Sequence, residues 1–297
     1  MASIESWLYY GLLRFINKKK SLELQFAFRK FDFYSSTEPP KEIFKVCDVR
    51  KHQIAGRNVF TLTPFSDPSP TQILYLHGGA FVQGFVKQHW TFLSALVKET
   101  HCKIIVPDYP LAPTYTYHHA FEMVSAVYND MIKGRTTGKI ILMGDSSGGG
   151  FALALGQKLR FEPVPQPNQL ILLSPWLDIT LTNPEITGIT QVDPFLSPAS
   201  LRKAGKVYAG DSDTAIAMLS PINGTLDHLG EISIFIGSRD ILVADTRKLK
   251  ALAEKTGVQI HYHEYKDMVH AWMLLNFRES KQAKREIMDT ILRPIAS

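Results

Sequence analysis

Cysteine is almost missing from this chain. Cys47 and Cys102 are the only two among 297 residues, which excludes a disulfide-dense framework and any CxxC metal or redox site. Charge of one sign is equally scarce. Thirty-three lysines and arginines face 28 aspartates and glutamates, a formal +5 without the clustered stripe of a nucleic-acid grip, so no nucleic-acid partner is expected. No eighteen apolar residues run together, so no helix is expected to cross a bilayer or insert stably into one. The start of the chain puts Lys18, Lys19 and Lys20 after its apolar stretch, the reverse of a signal peptide, and no A-x-A site follows. With so few cysteines, the expectation is a cytoplasmic protein. The histidines lack the H-x₃₋₅-H spacing and partners of a coordination set, so neither metal nor organic cofactor is expected.

What is present is a large apolar fraction. At 45% hydrophobic and 21% charged, the chain can bury a substantial core, and a single domain over 1–297 is expected. Residues 1–40 carry Trp7, Leu8, Leu12, Leu13, Phe15, Ile16, Leu24, Phe28 and Phe31 at spacings that suit an amphipathic helix. The expectation is a lid or arm whose apolar face packs on the core; the alternative is a membrane-surface helix backed by Lys18, Lys19 and Lys20.

After Pro39 and Pro40 the pattern becomes short apolar runs at 44–49, 59–62 and 73–76, read as strands. Further strands are read at 104–106, 140–143, 170–173, 232–236 and 259–265, alternating with helical stretches at 119–132, 149–159, 242–254 and 279–292. This alternation predicts an α/β fold with a mainly parallel sheet covered on both faces. Residues 180–230 break the rhythm with scattered Pro and Gly and read as an insertion above the sheet.

The strongest chemical signal is Gly144-Asp145-Ser146-Ser147-Gly148-Gly149-Gly150, between an apolar strand and a helical run. A nucleophile elbow needs small residues two places before and after its serine, because the strained turn brings those backbones together. Gly144 and Gly148 meet that need around Ser146; centring the turn on Ser147 would crowd Asp145. Taken singly, G-x-S-x-G is short enough to arise by chance. A phosphate loop is disfavoured, because neither GK[ST] nor a G-x-G-x-x-G register occurs here. His77-Gly78-Gly79-Ala80 also follows an apolar run, and its glycines allow backbone N–H groups to turn toward one point, as a tetrahedral oxyanion requires. An ordinary turn would read the same way in isolation; beside the elbow, the oxyanion reading prevails. His77 is expected to orient this loop rather than transfer protons.

Together with Asp108-Tyr109-Pro110-Leu111-Ala112-Pro113, these segments resemble the hormone-sensitive-lipase-like (bacterial family IV) esterases of the α/β-hydrolase fold, marked by HGGG, DYRLAPE and GDSAGG. The likeness runs from about residue 70 onward. Ala80 replaces the third glycine, Pro110 the usual arginine and Thr114 the usual glutamate. A main-chain donor at Ala80 can still serve, although a positive φ there would cost roughly 1–2 kcal/mol. The resemblance implies an eight-stranded, mainly parallel sheet flanked by helices, with a helical lid from about 1–40 and 180–225. It also implies oxyanion donors at Gly79, Ala80 and Ser147.

In this fold the order along the chain is serine, acid, histidine. Of the four histidines after Ser146, His261 and His263 lie within a strand-like run and His228 precedes the expected acid, whereas His270 follows the last strand, where the family places its base. Asp240, just past a strand's carboxyl end and in the family-like Gly237–Leu242 pattern, is the preferred acid. Asp178 is the runner-up, read instead as bracing a loop; Asp245 is read as a helix-surface residue, and Asp108 precedes the serine.

The resemblance thus implies a serine carboxylesterase acting on a small acyl ester of short to medium chain through an acyl-enzyme. A deacetylase or amidase on a small acylated metabolite, or a ligand-binding relative lacking catalysis, is the alternative, and retention of His270 argues against the last. Trp7, Phe15, Phe28, Phe195 and Leu196 are the expected pocket lining, and a homodimer is a possible assembly.

Overall fold

The computed structural model of the chain describes residues 2–31, 37–133 and 137–294. Eight strands, β1 (Cys47–Ile54), β2 (Arg57–Pro64), β3 (Gln72–Leu76), β4 (Lys103–Pro107), β5 (Ile140–Asp145), β6 (Gln169–Leu173), β7 (Glu231–Gly237) and β8 (Ile260–Tyr265), form one sheet in the order β1-β2-β4-β3-β5-β6-β7-β8. The first two pairings, β1 with β2 and β2 with β4, are antiparallel; every other pair is parallel. The mainly parallel α/β sheet expected from the alternation is therefore present.

Central strands such as Ile140–Met143 read as unbroken apolar runs because both faces are covered. Leu74, Leu76, Leu142 and Leu172 pack with α4 (Tyr117–Ile132), α5 (Ser147–Leu159) and α8 (Val243–Thr256). Ile73, Tyr75, Ile141 and Met143 point the other way, into a core shared with α3 (Lys87–Thr100) and α9 (Arg278–Leu292). Each fully buried aliphatic side chain contributes about 1.5–3 kcal/mol relative to exposure, so the sheet's interior is the main source of stability.

Two elements differ from the sequence reading. Residues 44–49 are not a strand throughout: Ile43–Lys45 is a 3₁₀ turn that buries Ile43, and β1 extends through the polar stretch Arg50–Gln53. As an edge strand paired only with β2, β1 leaves that stretch largely in solvent and shows no apolar signal. Helix α3, which the reading omitted, buries Trp90, Phe92, Leu93, Leu96 and Val97 at helical spacing.

The arm is two helices, α1 (Ile4–Phe15) and α2 (Lys20–Phe28), broken near Asn17, which takes a left-handed φ of 49°. Ser3 caps α1 by accepting the Ser6 N–H. The expected packing of the arm on the core is met in part: Tyr9 and Tyr10 of α1 pack beside Leu13 on the core shared with α3 and α9, and Leu22, Phe26 and Phe31 on the opposite core. Leu13 turns inward, whereas Ile4, Leu8, Leu12 and Phe15 stay outside. Residues 32–36 of the arm lie outside the described residues. The insertion holds α6 (Ile186–Ile189) and α7 (Pro198–Ala209) and, among the described residues, no strand. No helix of the described residues is long and apolar enough to cross a membrane.

Candidate active site

Strand β5 ends at Asp145 and α5 begins at Ser147, leaving Ser146 on the turn between them with φ 54° and ψ −122°. Such a conformation in a non-glycine residue is strained and persists only where its surroundings over-determine it. Here they do. Ser146 donates its N–H to the Leu173 carbonyl at 2.8 Å and accepts the Trp176 N–H at 2.8 Å. A Cβ on Gly144 would stand 2.3 Å from the Gly148 carbonyl oxygen, and one on Gly148 only 2.0 Å from that of Leu76. Small residues at these two positions are thus a steric requirement of the turn.

The Ser146 Oγ lies 2.9 Å from Nε2 of His270, whose Nδ1 lies 2.7 Å from Oδ2 of Asp240. All three residues are buried, Asp240 completely. The other Asp240 oxygen, Oδ1, accepts the Leu242 N–H at 2.9 Å, which orients the carboxylate. Burial pulls the His270 imidazole toward neutrality, but the charge and hydrogen bond of Asp240, reinforced by the charges of Asp193 and Asp145, outweigh it. The net effect is a pKa above the ordinary histidine value.

Beside the serine, the His77 loop leaves β3. Gly79 has φ 128° and Ala80 φ 53°, so the substituted third glycine position does adopt the left-handed region. Gly78 has no room for a side chain, since its Cβ would meet Asp145 Oδ2 at 2.3 Å and Ser146 Cβ at 2.9 Å. The His77 ring stacks on Tyr109 at 4.4 Å, and its Nδ1–H donates to the Gly78 carbonyl at 2.7 Å. Burial pushes the His77 pKa down to about 3, which leaves the ring neutral and suited to orienting the loop. Among the described residues, the N–H groups of Gly79, Ala80 and Ser147 have no hydrogen-bond acceptor.

Asp145 joins the two segments. Its Oδ1 accepts the Gly78 N–H at 2.9 Å and the Tyr75 hydroxyl at 2.6 Å, while Oδ2 faces His89 Nε2 at 3.3 Å. Burial alone would raise this carboxyl, yet the His89 imidazole and these hydrogen bonds bring it down to about 2. His89 escaped the sequence reading because it sits on α3, the helix that was not anticipated.

Asp193 was missed as well. This buried carboxylate of the insertion accepts N–H groups from Phe195 (2.7 Å) and Leu196 (2.9 Å) through Oδ1, and from Ile241 (2.9 Å) through Oδ2. It thereby fastens the insertion to the residue next to Asp240. Burial, and then the Asp240 charge, raise Asp193 to about 6. The local signal was available in Asp193-Pro194-Phe195-Leu196-Ser197-Pro198: an Asx-type turn leading into the Ser197 cap of α7. Its proximity to Asp240 was not.

The remaining candidates lie apart from this cluster. Asp178 accepts the N–H and hydroxyl of Thr180 at 2.8 and 2.6 Å and the Ser220 hydroxyl at 3.2 Å, bracing its loop. Asp245 is buried rather than on the helix surface; Asn183 donates to it at 3.0 Å, and burial raises it to about 6. His263 stacks on Phe235, His261 faces Arg293, and Asp108 pairs with Arg57. His228 is exposed.

A cavity of about 840 Å³ opens over Ser146 and His270, bounded by Gly78–Ala80, the arm and the insertion. Phe195 and Leu196 line it as expected, the Phe195 ring centred 5.5 Å from that of His270. Trp7, Phe15 and Phe28 do not; their places are taken by Leu12, Leu13, Ile16, Leu22 and Leu24, because α1 and α2 turn those side chains to the opening. Among the described residues, no three His, Cys, Asp or Glu side chains are arranged to hold a metal ion.

Comparison with known proteins gives a consistent setting. The model of the alpha/beta hydrolase fold family matches residues 73–274. An esterase of Acinetobacter venetianus is 34% identical over 226 residues, covering 74% of this chain and 75% of that protein. An acetyl-hydrolase of Streptomyces hygroscopicus is 31% identical over 201 residues, covering 67% of each. The crystal structure of an esterase/lipase from an uncultured bacterium superposes with a TM-score of 0.83 at 26% identity, covering 98% of both chains.

Proposed function

The chain belongs to the alpha/beta hydrolase fold family, and from that membership we propose that it is a serine carboxylesterase for short- to medium-chain acyl esters, with Ser146, His270 and Asp240 as its triad. The observation that carries this reading is the unbroken relay from the Asp240 carboxylate through His270 to the Ser146 hydroxyl, at 2.7 and 2.9 Å.

His270 Nε2 takes the Ser146 proton as Oγ forms a bond to the ester carbonyl carbon, and the carbonyl electron pair moves onto oxygen. Asp240 holds the ring by its Nδ1–H and supports the imidazolium charge. The N–H groups of Gly79, Ala80 and Ser147 receive the oxyanion; losing one such donor costs about 3–4 kcal/mol of transition-state stabilisation. Collapse expels the alcohol, which takes the proton from His270, and leaves an acyl-serine. Water then gives a proton to His270 as its oxygen bonds to the acyl carbon; collapse breaks the bond to Ser146 Oγ, which recovers that proton from His270, and the acid departs. With no acceptor of their own among the described residues, those N–H groups support the oxyanion assignment.

A cavity of about 840 Å³ covered by the arm and the insertion suits short and medium acyl chains better than bulk fat. Removal of an acetyl group from a small metabolite is the second reading, favoured by likeness to the Streptomyces acetyl-hydrolase. A p-nitrophenyl series from acetate to laurate separates them: a sharp maximum at acetate selects the second. Ser146→Ala is expected to abolish ester turnover and fluorophosphonate labelling together; turnover that survives the substitution removes Ser146 from the mechanism.

A further inference from the structure

Helix α1 has two apolar faces, and only one is covered. On the covered side Leu13 is buried and Tyr9 packs on Phe277, helped by polar contacts: Ser3 donates its N–H and hydroxyl to Glu279 at 2.6 and 2.7 Å, Arg278 donates its N–H to Glu5 at 3.2 Å, and the Arg239 guanidinium lies 4.3 Å from the Trp7 ring centre. Its opposite face carries Ile4, Leu8, Leu12 and Phe15, which are 79%, 69%, 52% and 90% exposed. Isolated surface apolar residues are commonplace, but a contiguous helical face of them is a contact surface.

Charge accompanies this face. Residues 2–31 hold Arg14, Lys18, Lys19, Lys20, Arg29 and Lys30 against Glu5 and Glu23, a net +4 out of the formal +5 of the entire chain. The patch also runs into the cavity: Leu12, Ile16 and Leu24 are at once exposed on the arm and part of the lining above Ser146 and His270.

We propose that α1 and α2 dock the protein peripherally on the surface of an anionic phospholipid bilayer, with the cavity mouth turned to the lipid. An interfacial helix buries an apolar face at the headgroup boundary and leaves basic residues among the phosphates. The arm supplies that face in Ile4, Leu8, Leu12 and Phe15 and exposed cations in Arg14, Lys20, Arg29 and Lys30, whereas Lys18 lies over the Phe195 ring and Lys19 donates to the Thr190 carbonyl. A second copy of this chain fits the face less well. Twofold pairing sets a patch against itself, so +4 would meet +4. Docking does not depend on the reaction. Only its consequence rests on the esterase reading above: an acyl ester dissolved in the lipid would reach Ser146 without crossing bulk water.

The test is cosedimentation of the full chain with sucrose-loaded vesicles of phosphatidylcholine alone or mixed with phosphatidylserine. Binding to the mixed vesicles is expected to be roughly tenfold or more stronger and to weaken as salt screens the lysines. Leu8→Glu/Phe15→Glu, whose sites are too exposed to affect folding, is expected to lose this binding with an unchanged circular dichroism spectrum. Three results overturn the proposal: no binding to mixed vesicles, equal binding by the double variant, or a wild-type dimer in analytical ultracentrifugation that the double variant dissociates. Sedimentation is read without any ester present, so its outcome is independent of whether the protein hydrolyses one.

Discussion

The floor and the cover of the cavity are built on opposite terms. In the floor, the elbow at Ser146 and the His77 loop are buried, cross-bonded through Asp145, and so closely packed that Gly78, Gly144 and Gly148 have no room for a Cβ. In the cover, α1 leaves Ile4, Leu8, Leu12 and Phe15 exposed and is held by Leu13, Tyr9 and a few polar contacts, while the insertion is fastened near the acid loop by Asp193. Proton relay needs groups held to within a few tenths of an ångström, whereas a cover need only exclude water and choose what enters. Rigidity is therefore concentrated where bonds would be made.

The largest break in this contrast is expected from Asp240→Asn, which keeps the shape of the floor but disturbs the relay: kcat should fall by about four orders of magnitude. Steady-state kinetics on p-nitrophenyl butyrate checks it, and a loss below tenfold would remove Asp240 from the relay. Next is Gly148→Ala, where the added carbon meets a backbone oxygen that cannot rotate away. Destabilisation of about 1–3 kcal/mol or more is expected, measured by urea unfolding, with ester turnover falling alongside.

Asp193→Asn sharpens the comparison at the joint between the two regions. His270 lies above its ordinary value partly because Asp193 is negative, and the neutral imidazole needed as base dominates only above that raised value. Removing the charge lowers the His270 pKa, so the acid limb of the kcat/KM profile should move to lower pH. A limb that stays in place with kcat reduced would indicate a purely structural role. The smallest effect is expected in the cover: Ile4→Ser should change unfolding free energy by no more than about 0.5 kcal/mol, because Ile4 is already in solvent.

Much of the sheet was legible along the chain. Strands buried on both faces announce themselves as continuous apolar runs, as at Ile140–Met143, whereas β1, half in water and partnered on one side, does not. The amphipathic pattern of the arm was equally legible, but not the direction in which it faces. Periodicity reports that a helix has two sides; which one the protein covers depends on the partners available, and here Leu13 and Tyr9 pack inward while Glu279, Arg278 and Arg239 engage Ser3, Glu5 and Trp7, which leaves Ile4, Leu8, Leu12 and Phe15 outward.

The same division holds at the candidate site. Local backbone chemistry is written in adjacent residues, so Gly144-Asp145-Ser146-Ser147-Gly148 and His77-Gly78-Gly79 were sufficient to anticipate a strained turn and a glycine loop. The preference for Asp240 over Asp178 and Asp245 was legible too, from its place after a strand and the family-like Gly237–Leu242 pattern, whereas the positions of His89 and Asp193 behind the elbow and the acid were decided by packing among segments far apart along the chain. Spacing in sequence carries information over a turn or two of backbone. Contacts between the ends of strands depend on the order in which the sheet is assembled, and that exists only in the folded protein.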